Sequence, residues 1–260
     1  MGYGATQLVE GQPRVNLPFG LFSVLSLRDS NDPHWTNGIY WEAMSCNPAS
    51  GILDPDCNNN PQKFFASMNL PGAAKPFVVY GSAKCGLPGA RADLDGEERA
   101  TAMLLAREEA QAEAVTWSIL DDTAVDINPA GALSPASALA ALEGWLGSTY
   151  GSLGAIHAPR RAASLFSTNG AISPSGSHLL TKLGTPVSAG GGYPGTGPLG
   201  AAPAAGTQWV FAAPALFGYR GTVFATSAVD TGNNNFYALA ERQYVIGFDP
   251  CGVGAVRVTV

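Results

Sequence analysis

EERATAMLLAREEAQAEAVTW, Glu97 to Trp117, is the longest helical signal in the chain and its densest run of charge. Asp95 stands where a cap is needed, Glu98 three residues on completes a capping-box spacing, and Glu97 suits the positive end of a helix dipole. Met103, Ala106, Ala110, Ala114 and Trp117 recur at three- and four-residue steps, which predicts one buried face. A helix from Glu97 to Leu120 would run about 36 Å. Its apolar stripe is narrow and mostly alanine, flanked by Arg99, Arg107, Glu108, Glu109 and Glu113. Alanine lets a flat surface approach closely. The spacing therefore predicts a long strut laid on a sheet, with its charged flank turned to solvent or to partners.

The sheet is legible on either side of the strut. KPFVVYGSAKCG (75–86) is rich in strand formers. WVFAAPALFGYRGTVFATSA, NFYALAERQYVIGF and VGAVRVTV supply strands near the end of the chain, with alternation clearest in the last two. Between them, Ser134 caps and Pro135 opens a second helix that buries Leu139, Leu142, Leu146 and Tyr150 and stops before Gly151. LGAIHA (153–158) is a short strand, PRRAASLF a third helix, and HLLTKLGTPVSAG one or two strands around Gly184. GGGYPGTGPLGAAPAAG (190–206) is expected to be a flexible loop. Residues 1–60 hold isolated aromatics between turn residues, as an arm lying across a neighbour would, or a long loop over its own domain. The order predicts an α+β chain without internal repeats.

Charged residues make up only 13% of the 260, against roughly 25% in ordinary globular domains. A monomer normally keeps itself soluble with surface charge, so this surface is expected to be covered by further copies, or else reflects a Gly/Ala-rich composition. The net charge of −6 disfavours tight, counterion-driven binding of nucleic acid, which needs a basic stripe. MGYGATQLVE has neither the basic nor the apolar region of a secretory leader, and its fit to the myristoylation pattern through Gly2 and Thr6 is short enough to arise by chance. The longest apolar stretch, at 209–219, is too short to cross a bilayer and is interrupted by Pro214. Cys46, Cys57, Cys85 and Cys251 lack metal-ligand spacing, so reduced thiols are expected, although Cys46 and Cys57 could close a short loop.

No stretch carries recognisable chemistry. GGGYPGTGP lacks the Lys-Ser/Thr pair of a phosphate loop, and DLDGEE runs into the helix where further calcium ligands would stand. No GxSxG is present, and His34, His157 and His178 sit in unlike contexts. His157, at a strand end before a helix, is the one candidate base for a hydrolase, against the simpler reading of a structural histidine. Asp121, Asp122 and Asp126 follow the long helix as a solvated turn, and Arg160 with Arg161 opposes a helix dipole, which calls for a partner carboxylate. No catalytic residue, cofactor or metal is expected.

Taken in order, NLPFGLFSV and DPHWTNGIYWE, PFVVYGSAKCG leading into the Glu97 helix, ALAALEGWLGSTYGSLGAIHAPRRAASLF (138–166), KLGTPVSAGGGYPGTGP and AERQYVIGFDPCG resemble the major capsid proteins of tailed bacteriophages. These have the Hong Kong-97-type fold shared with encapsulins, and the likeness is strongest to short capsid-like proteins of phages infecting actinobacteria. The resemblance spans nearly the whole chain in order and texture, without one diagnostic motif, and no long hairpin is legible. It implies an extended N-terminal arm (1–60), a peripheral domain with the spine helix over a sheet (61–127), an axial domain (128–230) and returning C-terminal strands (231–260). It also implies self-assembly as pentamers and hexamers of an icosahedral head enclosing double-stranded DNA, with portal, scaffold or decoration proteins as further partners and no membrane. Subunit contacts are then expected at Phe19, Phe22, Trp35, Arg107, Glu109, Glu113, Arg160, Arg161 and Tyr193. The alternatives are another head, neck or tail protein forming a ring or tube, and an encapsulin-like shell.

Overall fold

The computed structural model describes residues 15–43, 63, 71–86 and 96–260; Asp95, Cys46 and Cys57 lie outside them. Along the chain come β1 (Ser26–Asp29), β2 (Ile39–Glu42), β3 (Pro71–Ala74) and β4 (Pro76–Gly86). Next are α1 (Gly96–Leu105), α2 (Glu108–Asp121), β5 (Ala124–Asp126), α3 (Pro135–Trp145), β6 (Ala155–Pro159) and α4 (Arg160–Thr168). β7 (Ile172–Ser175), β8 (His178–Thr181), β9 (Val187–Gly190), β10 (Thr207–Ala213) and β11 (Phe217–Arg220) follow, then β12 (Phe224–Asp230), β13 (Asn235–Gly247) and β14 (Val253–Thr259).

The single strut is in fact two helices. α1 tightens at its end, where the Arg107 N–H donates to the Leu104 carbonyl (2.9 Å), and Arg107 stands at φ −135°, ψ −3° before α2 begins. The break lets each half lie on a different sheet. The buried stripe is also not the alanine stripe. It runs through Gly96, Ala100, Leu104, Glu108, Ala112, Thr116 and Leu120, joined by Glu113, Trp117 and Asp121. Met103 is 54% exposed, and Ala110 and Ala114 face solvent. Alanines occupy every face of this segment, so the periodicity was degenerate. The tie is broken by Trp117 and by partners for Glu108 and Glu113 that lie far away in sequence.

α1 packs on the first sheet, in which β13 pairs with β4 along one edge and with β12 and β11 along the other, and β1 adds in parallel to β11. Val79, Ala100, Leu104, Ala238, Ala240 and Tyr244 form that core. The second sheet, β5-β14-β10-β6-β9, is covered on both faces. Alternation divides it cleanly. Ile156, Ala158, Val210, Ala212, Val256 and Val258 meet α3 and α4, whereas Phe211, Ala213 and Ala255 meet Trp117 and Leu120 of α2. α3 starts as its sequence dictates: the Ser134 hydroxyl accepts the Ser137 N–H (3.3 Å), and Gly151 takes φ +66° past its end. β11 and β12, in the 128–230 stretch, belong with β13 in the first sheet, so the chain passes repeatedly between the two sheets after β9.

Of the two readings open for residues 1–60, the described part takes the loop over its own domain. Residues 15–43 fold back on their own subunit. Leu21 is fully buried, β1 joins the first sheet, and Trp35 stacks on Tyr219 with ring centroids 6.1 Å apart. β2 and β3 form a four-residue antiparallel pairing, from Ile39↔Ala74 to Glu42↔Pro71. Composition hid it, because PGAA lacks strand formers.

Candidate assembly surfaces and the anchored arm

The glycine-rich stretch after β9 is a packed seam, contrary to the flexible loop its composition suggests. Gly190, Tyr193, Gly195 and Gly197 are buried. A Cβ on Gly192 would run into the Ala110 carbonyl oxygen and stand 2.7 Å from its carbon and 2.8 Å from Ala110 Cα, and one on Gly197 would enter the Trp209 ring. Here glycine is needed for close approach of backbone to α2 and to the second sheet. Trp117 completes the seam. It stacks on Phe211 (centroids 4.2 Å apart), tilts against Tyr193 (5.0 Å) and donates its indole N–H to the Thr196 carbonyl (3.0 Å).

The same seam anchors the root of the N-terminal segment. Glu113 accepts the Leu21 N–H through one oxygen (3.1 Å) and the Gly192 N–H through the other (2.6 Å), and Glu109 accepts the Phe22 N–H (3.0 Å). From the opposite side Arg160 donates to the carbonyls of Pro18 (2.9 Å) and Ala189 (3.3 Å), while the Ala189 N–H donates to the Phe19 carbonyl (2.6 Å). Desolvation pushes both carboxyls above the ordinary carboxylate range, against the opposing pull of the N–H donors. Phe19 takes φ +65°, a left-handed conformation that a bulky residue adopts only when its surroundings enforce it.

Of the nine residues expected at subunit contacts, Glu113, Tyr193 and Trp35 are buried inside the subunit. Glu109, Phe19, Phe22 and Arg160 are half-buried around the anchored root, and Arg107 and Arg161 are exposed. The charged flank of the strut is therefore largely internal. Glu108 is likewise buried, where it accepts from Arg242 (2.8 Å) and from the Tyr244 hydroxyl (3.0 Å). Arg160 donates to carbonyls, and the carboxylates its position called for, Glu109 and Glu113, act on it at longer range. Sequence reasoning could have flagged Glu108 and Glu113 only by pairing them with donors more than 75 residues away, which no local pattern reveals.

His157 offers no enzyme site. It is fully buried, its Nδ1 lies 3.0 Å from the Tyr193 hydroxyl, and that hydroxyl is 2.8 Å from Ser188 Oγ. Burial lowers its pKa to about 3, which keeps the ring neutral, and no solvent reaches it. Among the described residues no cluster of His, Cys, Asp and Glu could hold a metal ion, and no helix is long and apolar enough to cross a membrane. Cys251 is disulfide-bonded, against the reduced state expected for it, and Cys85 is free and exposed.

The surface the sequence did not mark is the outer face of the first sheet, opposite α1. Register places Tyr80, Glu241 and Phe224 in one row across β4, β13 and β12, and Lys84, Tyr237 and Ala228 in another. Val78 (53%), Tyr80 (58%), Phe224 (64%) and Tyr237 (40%) are exposed there. A groove of about 360 Å³ bordered by Trp35, Val78, Phe224 and Glu241 runs along this face. Large exposed apolar side chains gathered on one face mark an interaction surface.

No family model matches the sequence, and no curated protein matches it. Solved structures do. The mature capsid of bacteriophage PhiM1 is similar over 98% of this chain and 92% of that one, at 14% identity and a TM-score of 0.54. The holo-SrpI encapsulin complex of Synechococcus elongatus PCC 7942 is similar over 99% and 93%, at 10% identity and 0.55. A chain of Mycobacterium phage Che8 is similar over 98% of both, at 10% identity and 0.56. Identities this low carry the architecture alone, and that architecture extends over the whole chain: it has the Hong Kong-97-type fold of phage capsid and encapsulin shells.

Proposed function

We propose that this chain is the structural subunit of a closed icosahedral shell, the major capsid protein of a tailed-phage head, assembling as pentamers and hexamers around double-stranded DNA. The observation that carries the reading is the end-to-end likeness to shell subunits, with no insertion or missing element large enough to lower the coverage. The surface agrees with it. Charge is scarce, and among the described residues nothing covers Val78, Tyr80, Phe224 and Tyr237 on the outer face of the first sheet.

In this reading the first sheet with α1 is the peripheral domain, the second sheet with α3 and α4 the axial domain, and a neighbouring copy covers the outer sheet face. Arg107 and Arg161, which remain exposed, lie away from that face and join subunit contacts elsewhere on the surface. Each of the partly exposed aromatics on the sheet face contributes about 1–2 kcal/mol when covered, and closed symmetry multiplies such modest contacts into a rigid shell. A net charge of −6 keeps the wall from gripping DNA tightly. Portal, scaffold and decoration proteins would complete the particle, whose place is the virion after assembly in the host cytoplasm. An encapsulin-like shell around protein cargo is the second reading, supported by the SrpI likeness.

The test is a pair of charges on the sheet face. Tyr80→Lys with Phe224→Lys, each directly across from Glu241, should leave circular dichroism and melting unchanged while sedimentation velocity shows small species where the parent forms large particles. Particles of parental size from the double variant would overturn the assignment of this face.

A further inference from the structure

Glu109 and Glu113 stand one turn apart on α2 and converge on the same spot over Gly20, where an added Cβ would touch Glu109 Oε1 and lie 2.6 Å from Glu113 Oε1. The two are not equivalent. Glu113 accepts from Leu21 and Gly192 through both oxygens, whereas Glu109 accepts the Phe22 N–H through one. Glu109 thus has the weaker support for a negative charge, with Glu113 and Glu108 beside it as like charges. It is also the more exposed of the two, half-buried where Glu113 is 2% exposed, at a cleft of about 300 Å³ lined by Val15, Leu17, Arg107, Glu109, Glu113 and Gly191. Residues 15–22 hold no titratable group.

We propose that Glu109 is a protonation latch on the arm root: as a neutral carboxyl it keeps residues 18–22 closed on α2 and the glycine seam, and as a carboxylate beside Glu113 it lets them lift away. The other charged and titratable groups facing it are Arg160 from α4, Arg107 at the start of α2, and Tyr193 from the seam. Arg160 favours the carboxylate, but it also donates to the Pro18 and Ala189 carbonyls, so it stays when the proton leaves and guides reclosure. Tyr193, held well above its ordinary range by burial, remains neutral. The left-handed Phe19 supplies the opening force, since release relieves its backbone. Because burial raises the carboxyl's pKa in the closed state, closure is fully favoured below the unfolded carboxylate range and weakens as pH rises through the closed-state value. The latch belongs to the single subunit and does not depend on the shell reading.

Hydrogen exchange across a pH series tests it, with rates corrected for intrinsic base catalysis. Protection of the Leu21 and Phe22 amides should fall by up to about tenfold per pH unit within that window. α3 amides should show no such trend. Glu109→Gln, which keeps an acceptor for Phe22 but cannot ionise, should flatten the profile. Protection in the parent that is independent of pH or rises with it, or a Glu109→Gln profile as steep as the parent's, would overturn the latch. If Glu109→Gln does not fold, the parent series decides by itself.

Discussion

Replacing Gly192 by alanine adds one methyl group to the place where the chain can least accommodate it. The new Cβ would meet the Ala110 carbonyl and stand 2.7–2.8 Å from backbone carbons of α2, atoms that cannot rotate aside. Seam and helix must separate, at about 1–3 kcal/mol for overpacking. Separation also lengthens the 2.6 Å hydrogen bond from Gly192 to the Glu113 carboxylate, a charge-assisted contact contributing roughly 1.5–3 kcal/mol. Together these destabilise by about 3–5 kcal/mol, or roughly 10 °C in Tm for a chain of this size. Gly144→Ala is the matched control. Gly144 lies in α3 with nothing within 4 Å of an added Cβ, so the same change should stabilise by about 0.5–1 kcal/mol. Denaturant and thermal melts of both variants against the parent decide the matter. A Gly192→Ala protein melting within about 2 °C of the parent, or above it as Gly144→Ala should, would refute the close-approach account of the seam.

Glu108→Ala should destabilise by about 3–5 kcal/mol in urea melts, because it strands Arg242, whose side chain is 16% exposed, and removes the acceptor of the Tyr244 hydroxyl. Tyr244→Phe should cost only about 1–3 kcal/mol, since the Glu108–Arg242 pair survives; equal losses would contradict the pairing. A maleimide should label Cys85 in the native, unreduced protein and reach Cys251 only after reduction, as read by peptide mass; labelling of Cys251 without reductant would contradict its disulfide.

What the sequence made legible were elements with strong local punctuation. Ser134-Pro135 marked the start of α3, Gly151 closes the separate turn 146–150 that follows its end at Trp145, and PFVVYGSAKCG became β4 with its ends in place. Elements defined by distant partners were not legible. β1 is a four-residue strand made by pairing with β11, and β3 is PGAA, which only its register with β2 turns into a strand. The break at Arg107 cannot be read locally, because it follows from two sheets needing two helix directions. Polarity misled where burial was satisfied from afar: Glu108 and Glu113 read as a solvent flank, yet each meets donors from remote segments. Glycine misled in the opposite direction, since GGGYPGTGP has the composition of a mobile loop and the geometry of a close-packed seam. The outer sheet face was invisible because exposure of Tyr80 and Phe224 depends on which side of β13 the helix covers.

Electron microscopy of the purified, concentrated protein tests the shell assignment most directly. The account predicts closed particles of uniform diameter whose walls show five- and six-fold clusters. Rings, tubes, or subunits that stay single at every concentration would contradict it.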